Sequence, residues 1–484
     1  MNIFKKSAAA GLAALCALAP AQAGEIEDAI VAKVTQAYGG DTLVTAKSIT
    51  ITDYGKSPWP GQNGSPGQPD FFRDNAELTI DFEGKRKSML SWRVSRTGKD
   101  LDIFVFDGEK GRIYDVLNAK YSGEDWLNFE SLGRSVVGAS DTMIARTLAD
   151  AQDSLAHDGD TPYRGALHHK LRVNAGTSAE YTLYINTQTG LISKRVRQHA
   201  RVGEISHIFA NHQKSGGVTF AQDMNFFVGG EARKISVERN IEINPSLADK
   251  FPDAAAYTPW GEPVDTAEMM VREVDFGVYH AGKGRSFTLF VDAGEYFIAS
   301  GGQDALKASL EALQAQLETS KPLKYFILTH HHSEHLGVLA DVAELGAALV
   351  TTADHLATAQ AALPTALPDD KVTLVDGKAS FGEGAVQVFD IATAHAEHYL
   401  LVYVPTAKLV FGEDHFEAPF KVGRPRVHKD MVTFRNSVRA LGLDVAVYVD
   451  GHGPRALSAD ELNTAVDAYR DVTCPAGYRI CAKG

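Results

Sequence analysis

The chain has 484 residues, is 44% hydrophobic and 23% charged, and carries a formal net charge of -13. That length and apolar content suit a globular protein of more than one core and exclude a disordered or low-complexity chain. The acidic balance argues against nucleic acid as a partner, because phosphate binding needs a basic surface, and leaves room only for a small local basic patch.

The first residues, MNIFKKSAAAGLAALCALAPAQAGEI, pair a positive Lys5-Lys6 with a short apolar run and end in an A-x-A site. This pattern predicts a secretory signal peptide over residues 1–23, cut after Ala23, and a periplasmic or secreted protein. No later stretch reaches 18 uninterrupted apolar residues, so no stable membrane anchor is expected. Cys16 leaves with the signal. Cys474 and Cys481 remain and are expected to pair in an oxidising compartment.

Residues 24–245 hold short alternating segments that end in turns. AELTIDFEG (76–84), DLDIFVFDG (100–108), AEYTLYINTQTG (179–190) and MNFFVGG (224–230) predict strands. Residues 57–70, rich in Pro and Gly, predict a loop. Helices are expected over 26–38 and 141–155. This half reads as a separate, mainly antiparallel β domain, followed by a proline-rich linker over 246–264.

From 265 to 484 strands and helices alternate, which predicts an α/β layered domain with buried sheets. Leu306, Leu310, Leu313 and Leu317 share one helical stripe, and Ser458 with Glu461 forms a capping box. Eleven of the 17 histidines lie in this half. Several follow predicted strands, where α/β proteins gather side chains into a site. His330, His332, Glu334 and His335 follow YFIL. His395 follows VQVFDIATA, Asp414 follows LVFGE, and His452 follows VAVYVDG.

These motifs resemble, in order, those of the metallo-β-lactamase fold superfamily. The signature T-H-x-H-x-D-H-x-G reads THHHSEHLG here, and ATAHAEHYLLVYVP, LVFGEDHF and VDGHGP stand for the later pieces. The resemblance covers about residues 265–470 and implies an αββα sandwich with one or two metal ions at its rim. It implies that His330, His332 and His395 bind one metal and His335 and His452 a second. Glu334 stands in the position of that site's carboxylate, and Asp414 bridges the two. Imidazole and carboxylate ligands suit Zn²⁺, and two close metals share a hydroxide nucleophile. Asp414 and Glu334 are thus the expected catalytic groups, with His398, Tyr399 and His415 expected to line the substrate pocket.

Glu334 departs from the family's aspartate. It leaves three options open: a ligand after a backbone shift, a displaced or weakened second metal, or a proton acceptor only. Tyr399 stands where lactamases often carry Asn, and no Lys follows Asp414, which lowers the expectation of β-lactam hydrolysis. HHSEH also fits the H-x-x-E-H helix signature, but the preceding β-rich segment argues for a loop. His331 is expected to point away from the metals. His168, His169, His207 and His212 read as surface or core residues, and His428 lies in a basic loop that reads as solvated, with a substrate-facing loop as the alternative.

The leading expectation is a metal-dependent hydrolase acting on a small-molecule ester, lactone, thioester or related bond. Two alternatives stay open. One is a mononuclear iron dioxygenase of a sulfur substrate. The other is a non-enzymatic binding protein for an apolar ligand with a structural metal, since the N-terminal half weakly resembles lipoprotein-carrier-like domains. The sequence leaves the oligomeric state open.

Overall fold

The computed structural model describes residues 24–470 and 474–481. The expected signal peptide lies outside the described residues. No helix among those described is long and apolar enough to cross a membrane.

The N-terminal half forms one fourteen-stranded sheet. All its pairings are antiparallel except that of the short strand Thr258–Pro259 with Lys120–Gly123. Period-two alternation gives the sheet two different faces. On one face Ile49, Ile51, Leu78, Leu171 and Leu183 pack against Ile30, Val34 and Tyr38 of the helix Glu25–Tyr38 and Met143 and Leu148 of the helix Asp141–Leu148. The second helix ends at Leu148, short of the expected 155, and continues as a 3₁₀ turn to Ser154. On the other face Leu90, Trp92, Leu101 and Ile103 pack against Tyr478 and Ile480.

The C-terminal tail therefore sits on the first sheet. Cys474 and Cys481 are disulfide-bonded. Glu77, buried in the sheet, accepts from the backbone N–H groups of Arg479 (2.7 Å) and Ile480 (2.9 Å) and pairs with Lys250.

Residues 270–467 form the αββα sandwich expected from the sequence. A seven-stranded and a six-stranded sheet face each other. Their inner faces meet through Leu289, Val291, Ile327 and Val350 on one side and Val388, Leu400, Val402 and Phe411 on the other. The outer face of the first carries Leu306, Leu310 and Leu313 of the helix Leu306–Gln316 and Leu339 and Val342 of the helix Leu339–Glu344. The outer face of the second carries Met431, Phe434 and Val438 of the helix Lys429–Ala440 and Leu462, Ala465 and Val466 of the helix Ala459–Asp467. Both sheets are covered on both sides, so their central strands are largely apolar: Tyr399–Val404 is buried at every position, whereas the edge strand Met270–Asp275 is partly exposed. Each fully buried Leu, Val or Phe contributes roughly 1.5–3 kcal/mol by removal from water. That burial sets the frame from which the loops at the strand ends project.

Candidate metal centre

Four strands of the sandwich end at one rim. Leu323–Ile327 runs into His330, Val386–Ile391 into His395, Leu409–Phe411 into Asp414, and Val447–Val449 into His452. Backbone bonds tie the strand ends together. Leu400 N–H donates to Thr329 C=O (2.8 Å) and Gly412 N–H to Val449 C=O (2.8 Å).

Five imidazoles and one carboxylate converge there. Ligand atoms of His330, His332, His395 and Asp414 all lie within 4.8 Å of one another, and so do those of His335, Asp414 and His452. Asp414 is common to both groups. Its Oδ2 lies 3.0 Å from His395 Nε2 and 2.9 Å from His335 Nε2, and its Oδ1 lies 2.5 Å from His452 Nε2. His330 Nε2 is 3.1 Å from His395 Nε2.

The opposite ring nitrogens are held from behind, which fixes the tautomer presented to the centre. His395 Nδ1 lies 3.5 Å from Asp430 Oδ2, and His452 Nδ1 lies 3.1 Å from the Arg285 carbonyl. His335 Nδ1 lies 3.3 Å from Glu413 Oε1, within ion-pair range, but the two atoms make no hydrogen bond. His332 is turned the other way: its Nε2 lies 3.1 Å from the Asn63 carbonyl, while its Nδ1 is buried with no hydrogen-bond partner. An orphaned imidazole nitrogen inside a converging donor set is what a cation site requires. The residues present fit one or two divalent metal ions with mixed imidazole and carboxylate ligands.

The electrostatics agree. Burial acts to raise the Asp414 carboxyl, but the imidazoles of His335 and His452 hold it well below the usual range. Burial acts to lower His395 and His452, yet Asp414 pushes them up to about 9 and about 10. His330 lies well below its ordinary value through burial and the neighbouring His332 and His335, and burial takes His332 down to about 2. The buried carboxylate thus holds positive charge beside it, and a metal held by this donor set would take the place of the protons on His395 and His452.

Glu334 stands outside both groups. It begins a four-residue helix, Ser333–Leu336, and its carboxylate accepts from the Gln62 side chain instead of facing Asp414. The carboxylate nearest His335 besides Asp414 is Glu413, buried and at φ +43. A bulky residue in the left-handed region is unusual. Burial raises its carboxyl to about 7 against the pull of His335. His332 has extended dihedrals, φ -64 and ψ 147, so HHSEH is not a single helix. His331 packs against the His355 ring at 4.8 Å and belongs to neither group.

The three expected pocket residues separate. His415 is buried and lines a cavity of about 280 Å³ together with His395 and Asp414. Tyr399 is fully buried and packs its ring against His415 at 4.4 Å, behind the centre. His398 lies to one side, 41% exposed and bound to Asp390 and Asp354. His428, expected on a solvated loop rather than a substrate-facing one, lines the cavity 3.2 Å from Asp100, in line with the second of those readings. The ion pairs of Arg426 with Asp102 (2.8 Å) and Asp115 (2.7 Å) hold its segment against the first sheet.

The largest contribution absent from the sequence reading comes from the N-terminal sheet. The loop after Pro58 docks onto two of the four ligand-bearing loops, those of His330–His335 and His395. Gly61 C=O accepts from Ser333 N–H (3.0 Å) and Gly64 C=O from Glu397 N–H (2.8 Å). The Arg96 guanidinium bonds the Gln62 carbonyl (2.8 Å), Asp70 (3.0 Å) and the Ala394 carbonyl next to His395. Trp59 and Phe72, in edge-to-face contact at 5.6 Å, line the cavity mouth. The only sequence signal for these roles was the loop's Pro/Gly content, which marks a turn and says nothing of where it lands.

No family profile and no curated protein matches the chain. Solved structures that it resembles include the DIM-1 metallo-β-lactamase, at 14% identity over 42% of this chain and 97% of that one, TM-score 0.34. Another is the mono-zinc form of the FIM-1 metallo-β-lactamase from Pseudomonas aeruginosa, at 18% identity over 42% and 96%, TM-score 0.33. A metallo-β-lactamase from Pontibacter korlensis is 21% identical over 42% and 98%, TM-score 0.33.

Proposed function

We propose that this protein is a metal-dependent hydrolase, binding one or two Zn²⁺ ions and acting on an ester, lactone, thioester or related bond of a small molecule. The observation that carries this is the pair of donor groups sharing Asp414. His330, His332, His395 and Asp414 would hold one ion, and His335, Asp414 and His452 the other. Bound there, the ions supply Lewis acidity to the substrate's oxygen and lower the pKa of water.

The chain's own residues supply the rest. Asp430 and the carbonyls of Asn63 and Arg285 each stand behind one imidazole and keep its opposite nitrogen aimed inward, and the Glu413 carboxyl lies beside His335. Trp59 and Phe72 offer an apolar surface at the mouth, and His415 and His428 wall the cavity. The second donor group is complete without Glu334, which favours the hydrolase over a mononuclear oxygenase. The Cys474–Cys481 bond supports an oxidising, extracytoplasmic compartment.

The test is turnover by the zinc-loaded protein of a panel of nitrophenyl esters, thioesters, lactones and β-lactams, with and without dipicolinate. Hydrolysis that the chelator stops and zinc restores supports the reading. Absence of turnover across the panel, or turnover indifferent to chelation, contradicts it.

A further inference from the structure

The sheet face that presents Phe72 to the metal site continues away from it into a second, larger cavity of about 840 Å³. On the strand Arg86–Ser95, Ser95 and Arg93 line the site cavity, while Arg93, Ser91 and Met89 line the larger one. On the neighbouring strand, Phe72 lines the first and Asp74 and Ala76 the second. The register sets Asp74 opposite Arg93 and Ala76 opposite Ser91. Alternate residues of paired strands share a face, so these side chains form one continuous trough, and Arg93 borders both of its parts. From Met89 to Ser95 it runs about 20 Å at roughly 3.3 Å per residue. The larger cavity is at the upper end of the ~300–1,000 Å³ typical of small-molecule sites.

Its walls combine two chemistries. Val136, Met143, Ile144, Met224 and Phe226 give it an apolar lining. Arg93, Arg134, Arg195, Arg197, Arg233 and Lys234 also border it, against the carboxylates of Asp53 and Asp74 alone. Both carboxylates are engaged: Asp53 accepts from Ser236 (2.8 Å), and Lys234 lies 3.8 Å from Asp53 and 3.6 Å from Asp74. Arg195 donates to the Gly138 carbonyl (2.8 Å), and Arg233 pairs with Glu231 (3.0 Å). The guanidinium groups of Arg134 and Arg197 are exposed and have no hydrogen-bond or ion-pair partner among the described residues. The field is felt at His207, which also lines the cavity: burial, then Arg195, Arg239 and Arg197, take it down to about 3. Such a cationic concentration in a chain of net charge -13 attracts an anion to this one place.

We infer that the trough binds a single-chain anionic amphiphile, with its apolar chain in the larger cavity, its anionic group on the bordering arginines, and its reacting end past Arg93 at the metal centre. The substrate is then a long-chain acyl ester or thioester that also bears an acidic group. Hydrolysis adds the hydroxyl of water to the acyl carbon as the carbon–oxygen or carbon–sulfur bond breaks, and the proton goes to the leaving atom. The substrate assignment rests on the hydrolase reading, whereas the binding site itself does not. The segment 134–147 walls one side of the cavity, which makes it a cleft rather than a flat face and favours a soluble single-chain ligand over a membrane surface.

The experiment is calorimetric titration of the full chain, metal-free and zinc-loaded, with sodium oleate, with oleyl alcohol and with vesicles of an anionic phospholipid. One oleate per chain is expected in both forms, with the alcohol at least tenfold weaker. Ser91→Trp, which fills the trough, and the double variant Arg134→Glu/Arg197→Glu, which reverses its charge, are each expected to weaken oleate at least tenfold while far-UV circular dichroism stays unchanged. Absence of saturable oleate binding, equal affinity for the alcohol, undiminished binding by both variants, or binding to vesicles alone would overturn the inference. Short-ester turnover without oleate binding overturns this inference and leaves the hydrolase standing. Oleate binding without turnover of any ester does the reverse.

Discussion

Two glutamates compete for the role of the second group's carboxylate partner, and substitution separates them. The Glu334 carboxylate faces Gln62, whereas Glu413 lies 3.3 Å from His335 Nδ1. Glu334→Gln removes the charge but keeps an acceptor for the Gln62 amide, so both donor groups should retain their metals with affinities within about twofold. Glu413→Gln leaves Asp414 in place but replaces the carboxyl that faces His335 by a neutral amide. Losing such an outer partner typically costs 10–100-fold in metal affinity, which is about 1.4–2.7 kcal/mol. The loss should fall on one ion only, because His330, His332 and His395 do not lean on Glu413. The assay is a zinc competition titration against a chromophoric chelator, resolving two stoichiometric steps. A Glu334→Gln protein that loses one zinc per chain, beside a Glu413→Gln protein that binds both normally, would refute this reasoning.

Three further outcomes follow from packing and charge. Gly61 has φ +76, and an added Cβ would lie 2.9 Å from Ser333 Cβ, so Gly61→Ala should loosen the docked loop and speed zinc loss to a chelator severalfold, measured by stopped-flow. Glu77→Ala strands the Lys250 ammonium and frees two tail N–H groups, and should cost about 3–5 kcal/mol in urea unfolding. Asp141 is fully buried. Burial acts to raise its carboxyl, but the His212 hydrogen bond and Arg239 hold it below the ordinary carboxylate value. Its folded pKa is therefore below its unfolded one, so the stability it contributes is present above about pH 4 and is lost as pH falls through the folded value. Asp141→Asn should be less stable than the wild type at pH 7, with the gap between their urea midpoints narrowing below pH 4.

The sandwich was legible because its strands are buried on both faces and its ligands recur at strand ends. A run such as YLLVYV suits a strand buried on both faces, and a histidine or aspartate shortly after several neighbouring runs marks the rim. The helix expected over 26–38 forms as Glu25–Tyr38, and its buried Ile30, Val31, Val34 and Tyr38 cover the first sheet. Glu334 was misleading because the motif fixes spacing and not direction. One turn of helix at Ser333–Leu336 points its carboxylate to Gln62, a residue 272 positions away in sequence. Asn63 and Arg96 were invisible for the same reason: the first acts through a backbone carbonyl and the second through a contact across 236 residues. The basic cavity was hidden by the net charge, since its arginines come from separate strands and gather only when the sheet is assembled.

The central claim is that the Asp414-centred donor groups bind metal. Elemental analysis of the purified protein, after equilibration with zinc and removal of excess, tests it most directly. The account predicts close to two zinc ions per chain, with His395→Ala and His452→Ala each losing about one. A wild-type protein that retains no transition metal, or variants that retain as much as the wild type, would contradict it.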